Sequence, residues 1–280
     1  MNYRHAFHAG NRADVVKHAV QALILKHLAA KPAPFLVLDT HAGIGRYDLA
    51  GSEATRTGEA DIGIRRVMAA ADLPDALSPY LDAVRALNPE GALRWYPGSP
   101  RLARALMREG DRLLLAELHP EDVETLRREF RGDRQVAVHH MDGWLGLKAH
   151  LPPKEKRGLV LVDPPFEATD EYERLAAGLA LAHGRWPTGI YALWYPIKDR
   201  ATVWRFHQAL EDSLIPKILA AELTWSSEDR QDRLNGCGMA IVNPPWKLAE
   251  ELETALPALH AAMRAEGGGP NLEWIAPEKA

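Results

Sequence analysis

Gly158-Leu159-Val160-Leu161-Val162-Asp163-Pro164-Pro165-Phe166 is the stretch from which the rest of the chain can be read. A glycine and four branched aliphatic residues run without polar alternation, the pattern of a strand buried on both faces in a parallel sheet. The two prolines cannot donate ladder hydrogen bonds, so the strand must stop there. A carboxylate, a backbone carbonyl and an aromatic ring thus arrive together at the carboxyl end of a central strand. Open α/β sheets bind ligands at that edge.

Working outward, Phe35-Leu36-Val37-Leu38-Asp39 is an earlier strand of the same kind. It enters the small-residue loop Thr40-His41-Ala42-Gly43-Ile44-Gly45, which is expected to lead into a helix. Its glycines let the backbone approach a ligand closely. The loop lacks the Gly-Lys-Ser/Thr ending of a phosphate loop and is not a full G-x-G-x-x-G, so alone it is weak. Arg112 to His119 forms a second strand ending at Glu117, placed to accept hydrogen bonds from ribose hydroxyls of an adenosine cofactor. Gln135 to His140 is a third strand, and Asp142-Gly143 after it falls where an adenine edge would lie.

The alternation continues beyond Phe166. A helix is expected over 170–183, a fifth strand over 189–196 and a helix over 201–212. Two late strands, 217–225 and 238–245, are joined by the polar link 226–235 as an antiparallel hairpin at the sheet edge. The last helix covers 247–266 and stops at Gly267-Gly268-Gly269. Residues 50–94 are Ala-rich and broken by Pro74, Pro79 and Pro89, which reads as a small helical insertion inside one domain spanning 1–280. Ser99 or a neighbour caps the next helix, where Arg101, Arg104 and Arg108 share a face. A solvated face is favoured there over a contact with RNA phosphate.

Composition sets limits. The chain has 280 residues, 46% apolar and 26% charged, with a net charge of −4. No global basic field announces a nucleic acid, although a local basic face can suffice. No apolar run reaches the roughly 18 residues that suggest a membrane span. The start, Met1-Asn2-Tyr3-Arg4-His5, has no signal core, so a cytoplasmic location is expected. Cys237 is the only cysteine, which excludes an intrachain disulfide and a cysteine-based zinc cage. His5-x-x-His8 has no third ligand in view, so no metal is expected. This dense start, leading into a helix over 13–29, is either a ligand-contacting lid or a histidine-rich structural turn.

The order of motifs says more than any one of them. A glycine loop, a second-strand acid, a third-strand Asp-Gly and a fourth-strand Asp-Pro-Pro-Phe resemble a class I S-adenosylmethionine-dependent methyltransferase. The last motif resembles those that methylate an exocyclic amine. Longer blocks narrow this: Tyr3 to Asn11 with Asp14-Val15-Val16-Lys17-His18, Asp39 to Gly43 with Gly45-Arg46-Tyr47, Tyr96 to Pro100, Glu117 to Pro120, Gly189 to Pro196 and Asn243 to Lys247. Together they resemble the RlmJ family, which methylates N6 of one adenine in 23S ribosomal RNA. The resemblance implies a Rossmann-like fold with a seven-stranded, mostly parallel sheet and an antiparallel edge hairpin. It implies S-adenosyl-L-methionine held by His18, His41, Ser99, Glu117, Asp142, Gly143 and Asp163. Asp163, Pro164 and Phe166 would be catalytic, with Tyr3 and Lys17 in an N-terminal motif that closes over the site. The family often has tyrosine where Phe166 stands, so a hydroxyl is not needed for stacking.

The expected enzyme acts on 23S rRNA, free or early in assembly, as a monomer without metal or membrane. A DNA adenine-N6 or protein glutamine methyltransferase has the same motif layout and is the alternative. A non-catalytic nucleotide-binding module is disfavoured by the intact Asp163 motif. A nicotinamide-dependent dehydrogenase is disfavoured by the incomplete glycine fingerprint. Asn243-Pro244-Pro245-Trp246 fits the same four-residue consensus as Asp163-Pro164-Pro165-Phe166, but it follows the late hairpin and is set aside.

Overall fold

The computed structural model describes residues 4–226 and 233–277. Its strands are β1 (Leu36–Asp39), β2 (Arg46–Asp48), β3 (Trp95–Pro97), β4 (Arg112–Glu117), β5 (Val136–His140), β6 (Gly158–Val162), β7 (Ile190–Ile197), β8 (Ile218–Thr224), β9 (Gly236–Val242) and β10 (Pro270–Ala276). Helix α1 (Arg12–Ala29) precedes them. Helices α2 (Ser52–Thr57), α3 (Glu59–Ile62), α4 (Ile64–Ala69) and α5 (Ser78–Ala86) lie between β2 and β3. The others are α6 (Ser99–Leu106), α7 (Pro120–Glu129), α8 (Gly143–His150), α9 (Glu171–Arg185), α10 (Arg200–Asp212) and α11 (Leu248–Ala262).

Eight strands form the main sheet in the order β10-β8-β9-β7-β6-β1-β4-β5. The pairs β4–β5, β1–β4, β1–β6 and β6–β7 are parallel, and those of β9 with β7 and β8 and of β10 with β8 are antiparallel. All five residues of β6 are buried, as its unbroken apolar run requires. The pleat sends them to two cores. Leu159 and Leu161 join Val37 beside α1, α5, α6 and α11, while Val160 and Val162 join Leu36 and Leu38 beside α8, α9 and α10. Truncating a leucine at this depth, such as Leu161, costs about 2–5 kcal/mol.

Helix α1 departs from a simple amphipathic element. Asn11 caps it by accepting from the Asp14 N–H at 2.8 Å. Sheet residues cover one side, and α5, α6 and α11 cover others. Burial therefore extends from Ala13 through Leu25 and includes Asp14, Lys17, His18 and Gln21. A helix wrapped this way is apolar nearly all round, and its polar positions are those that carry a task.

Three sequence expectations change. The sheet has eight strands rather than seven, because β10 follows Gly267-Gly268-Gly269 and pairs with β8. The β8–β9 hairpin is therefore interior, and β10 forms the edge. None of the residues of β10 is buried, so no buried apolar run marks it in the sequence. The glycine loop leads into β2 rather than a helix. Strand β2 pairs with β3 as a separate two-stranded ladder, and the crossover helix α6 begins only after the inserted helices. Among the described residues, no helix is long and apolar enough to cross a membrane.

Candidate active site

The sheet creates the site by reversing direction. After β5 at one edge, the chain returns to place β6 on the opposite side of β1. Loops leaving β1 and β6 therefore diverge, and a cleft opens over the carboxyl ends of the parallel strands. It has a volume of about 740 Å³, within the usual range for ligand pockets. The loops after β1, β4, β5 and β6 line it, as does the start of α1. His18, His41, Ser99, Glu117, Asp142, Gly143, Asp163, Pro164, Phe166 and Lys17 all reach it. Tyr3 lies outside the described residues.

The glycine loop is held by an acid from the neighbouring strand. Glu117 accepts from the Gly43 N–H at 2.8 Å and, through its other oxygen, from the His119 N–H at 2.7 Å. Burial pushes the Glu117 carboxyl up, and these two N–H groups oppose that rise. Gly43 has φ of +61°, and a Cβ there would lie 2.3 Å from the Tyr47 hydroxyl. Asp142 caps α8 by accepting from the Trp144 N–H at 2.7 Å through Oδ1. Among the described residues its Oδ2 accepts no hydrogen bond. A Cβ on Gly143 would lie 2.1 Å from the Thr40 carbonyl oxygen, so glycine lets α8 start against the loop after β1.

Lys17 joins α1 to the loop after β6. Its Nζ lies 2.5 Å from Asp163 Oδ2 and 3.0 Å from Asp14 Oδ1. Asp14 Oδ2 also meets His5 Nε2 and the Gly10 N–H, each at 2.9 Å. Burial alone would push the Asp14 carboxyl up, but His5 and Lys17 hold it well below the usual range. Burial would lower Lys17, yet Asp14 and Asp163 raise it well above an ordinary lysine. The result is a buried cation between two carboxylates. Among the described residues, Asp163 Oδ1 and the Pro164 carbonyl oxygen accept no hydrogen bond.

Two histidines are kept neutral by burial. His18, fully buried, is lowered to about 3. Its Nδ1 is 2.7 Å from the Tyr96 hydroxyl, and among the described residues its Nε2 has no partner. His41 is lowered to about 4, again chiefly by burial, and its ring stands edge-on to Trp144 at 5.6 Å. Beneath them Asp39 is fully buried and raised to about 6 by desolvation, partly offset by Ser99 and the His41 N–H. Gln21 ties α1 to α6 by donating to the Ser99 carbonyl at 2.9 Å.

Phe166 has φ of +51°, a left-handed conformation that is costly for an aromatic residue. It turns the ring into an aromatic corner with Tyr172 at 5.0 Å and Trp194 at 5.6 Å, both edge-on. The other Pro-Pro motif is far away in the fold. Strand β9 runs against β7, so Asn243 emerges at the opposite end of the sheet, where its side chain donates to the Pro187 and Gly189 carbonyls at 2.8 Å. Arg101 and Arg104 lie on α6, whereas Arg108 falls beyond its end at Leu106, so the three do not share one helix face, and all three are used internally. Arg101 pairs with Glu129 at 3.1 Å, Arg104 with Asp133 at 2.6 Å and Arg108 with Asp111 at 3.1 Å.

Several lining groups were not singled out from sequence. Asp14 had a usable signal, an acid three residues before Lys17 on one helix face. Glu171, Arg174, Trp194 and Trp225 also line the cleft, but only the tertiary fold brings them there. Among the described residues, no group of three or more histidine, cysteine or acidic side chains could hold a metal.

Comparison with known proteins agrees with this geometry. The family described as "Ribosomal RNA large subunit methyltransferase D, RlmJ" matches residues 32–276. An Escherichia coli protein named ribosomal RNA large subunit methyltransferase J is 47% identical over 99% of this chain and all of its own length. A Haemophilus influenzae protein of the same name is 44% identical, over 99% of this chain and again all of its own length. The crystal structure of a Legionella pneumophila protein is similar with a TM-score of 0.88 and 33% identity, covering 95% of this chain and 98% of that one. Matched along nearly its whole length, this chain belongs to the RlmJ family of ribosomal RNA large subunit methyltransferases.

Proposed function

We propose that this chain transfers the methyl group of S-adenosyl-L-methionine to the exocyclic N6 of one adenine in 23S ribosomal RNA. The observation that carries this reading is the delivery of Asp163, Pro164 and Phe166 into the same cleft as the glycine loop, Glu117 and Asp142-Gly143. The cofactor residues fit an adenosyl group with an amino acid tail. Glu117 keeps lone pairs for ribose hydroxyls, and the unpartnered Oδ2 of Asp142 suits an adenine amine. Buried His18 Nε2, without a partner among the described residues, suits a polar group of the tail. Gly143, His41 and Ser99 complete the holding set.

When bound, S-adenosyl-L-methionine supplies a methyl group activated by a sulfonium. The protein's task is to prepare a poor nucleophile, because the N6 lone pair of adenine is delocalised into the ring. Asp163 Oδ1 and the Pro164 carbonyl oxygen each accept one N6 hydrogen. This fixes the amine and favours a more tetrahedral nitrogen with its lone pair directed at the methyl. Orientation of this kind is worth several kcal/mol. Lys17 holds the other Asp163 oxygen and so fixes the carboxylate. Phe166 stacks on the base, which must be unpaired or extruded. Accessible RNA before assembly is the easier substrate, since it avoids about a few kcal/mol of unpairing. The working form proposed here is the monomer.

The test is methyl transfer from labelled S-adenosyl-L-methionine to unmodified 23S RNA, to DNA and to protein. Label on the RNA, mapped to adenine N6 and lost in Asp163→Ala, supports the proposal. Label on DNA or protein alone would sink it in favour of the alternative substrate classes. Full activity of Asp163→Ala would sink the mechanism.

A further inference from the structure

The cofactor residues occupy the part of the cleft above β1, β4 and β5, and the amine-holding loop sits above β6. The cleft continues past Phe166 over the ends of β7, β9 and β8. Trp194, Pro196, Lys198, Trp225 and Leu234 line this arm, and no step described above uses it. We propose that the arm binds the nucleotide adjoining the target adenosine, with its base stacked on Trp225 and its phosphate held by Lys198. This rests on the reading of the chain as an RNA adenine methyltransferase.

The sheet fixes the arrangement. Ile197, Gly236 and Thr224 form one rung across β7, β9 and β8. The next rung continues it beyond the strand ends. The Asn235 N–H donates to the Ile197 carbonyl and the Trp225 N–H to the Asn235 carbonyl, each at 2.9 Å. The Asn235 side chain donates to the Lys198 carbonyl at 2.7 Å. Lys198 and Trp225 therefore flank Asn235, about 10 Å apart at two strand spacings.

The groups are of the right kind. Trp225 is half-buried, and its indole N–H donates to the Leu234 carbonyl at 2.9 Å, so the ring is already fixed. Trp194, also half-buried, stands edge-on to Phe166 at 5.6 Å, so the aromatic surface runs on from the amine-holding loop. Lys198 is exposed and, among the described residues, makes no ion pair. Arg200, two residues on, is paired with Glu222 at 2.6 Å. A cation beside aromatic faces is how proteins hold single-stranded nucleic acid. In a chain of net charge −4, such local cations must supply the attraction.

The test compares wild type with Trp225→Ala, Trp225→Phe and Lys198→Gln. The probes are a single-stranded RNA oligonucleotide carrying the target adenosine with neighbours on both sides, adenosine monophosphate, and S-adenosylhomocysteine. Trp225→Ala is expected to weaken oligonucleotide binding about tenfold, as loss of one stacked base does. Adenosine monophosphate and S-adenosylhomocysteine binding should not change, and Trp225→Phe should recover most of the loss. Lys198→Gln should weaken oligonucleotide binding and reduce the slope of log affinity against log salt by about 0.7, one phosphate contact on a single strand. Wild-type oligonucleotide affinity and salt slope in both Trp225→Ala and Lys198→Gln would overturn the proposal. Parallel loss of S-adenosylhomocysteine binding in Trp225→Ala would overturn it too, by assigning the ring to packing. Failure of the wild-type protein to methylate RNA would instead remove the parent reading.

Discussion

Replacing Lys17 by methionine keeps the side chain's apolar stem and deletes its charge. In the folded chain Lys17 Nζ is 2.5 Å from Asp163 and 3.0 Å from Asp14, and Asp14 is only 2% exposed. Removing one member of a buried ion pair leaves an uncompensated charge and costs about 3–5 kcal/mol. Lys17→Met should lose that much at pH 7.5. The sign of the pH effect follows from Asp14, whose folded pKa is depressed. Its contribution is present above the unfolded carboxylate pKa and is lost as pH falls through the folded one. Without the Lys17 cation, His5 and the Gly10 N–H still oppose burial, but less completely, so the Asp14 carboxyl rises from its depressed position. The gap between wild type and variant should therefore narrow between pH 7.5 and 5. Urea unfolding followed by circular dichroism at both pH values measures this. The double variant Asp14→Asn with Lys17→Met should recover about 1–3 kcal/mol, a coupling typical of contacting residues. A loss under about 1 kcal/mol, or one equal at both pH values, would refute the buried-triad account.

Three further outcomes are expected. Gly143→Ala would place a Cβ 2.1 Å from the Thr40 carbonyl oxygen, so it should cost about 1–3 kcal/mol of stability and weaken S-adenosylhomocysteine binding by calorimetry; unchanged affinity would separate this turn from the cofactor. Asp39, raised to about 6, opposes folding above that pH and ceases to do so as pH falls toward the unfolded value. Asp39→Asn should thus stabilise at pH 8 by up to about 3 kcal/mol, an advantage that thermal melts should show shrinking below pH 6. Trp246→Ala should leave methyl transfer at the wild-type rate, because Asn243-Pro244-Pro245-Trp246 lies at the wrong end of the sheet; a large fall in kcat would contradict that assignment.

Strands buried on both faces were the most legible part of the sequence. β1, β4 and β6 carry unbroken aliphatic runs ending in an acid, and each end faces the cleft. β10 was missed because its side chains are mostly exposed and only its backbone pairing with β8 makes it a strand. The helix expected after Gly45 was displaced because the inserted helices interrupt the first crossover. Glu117 and Asp142 could be placed by their positions after strands, and their hydrogen bonds to Gly43 and Trp144 follow from that placement. The buried cation was not legible as such. Lys17 looks like a surface residue until β9, α5, α6 and α11 are packed around its helix. Trp225 reaches the cleft only because β8 pairs with β9, which in turn lies beside β7.

The contact between Lys17 and Asp163 spans 146 residues of chain. A ribosome adding about 5–20 residues per second needs roughly 7–30 s to cover that distance. During that interval the nascent chain already contains Lys17 and Asp14, three positions apart, while the second anion has not been made. The contact between Lys17 and Asp163 therefore cannot form until strand β6 and the loop after it have left the exit tunnel. Until then the Lys17 ammonium group has one of its two native carboxylate partners, Asp14, and lacks the other.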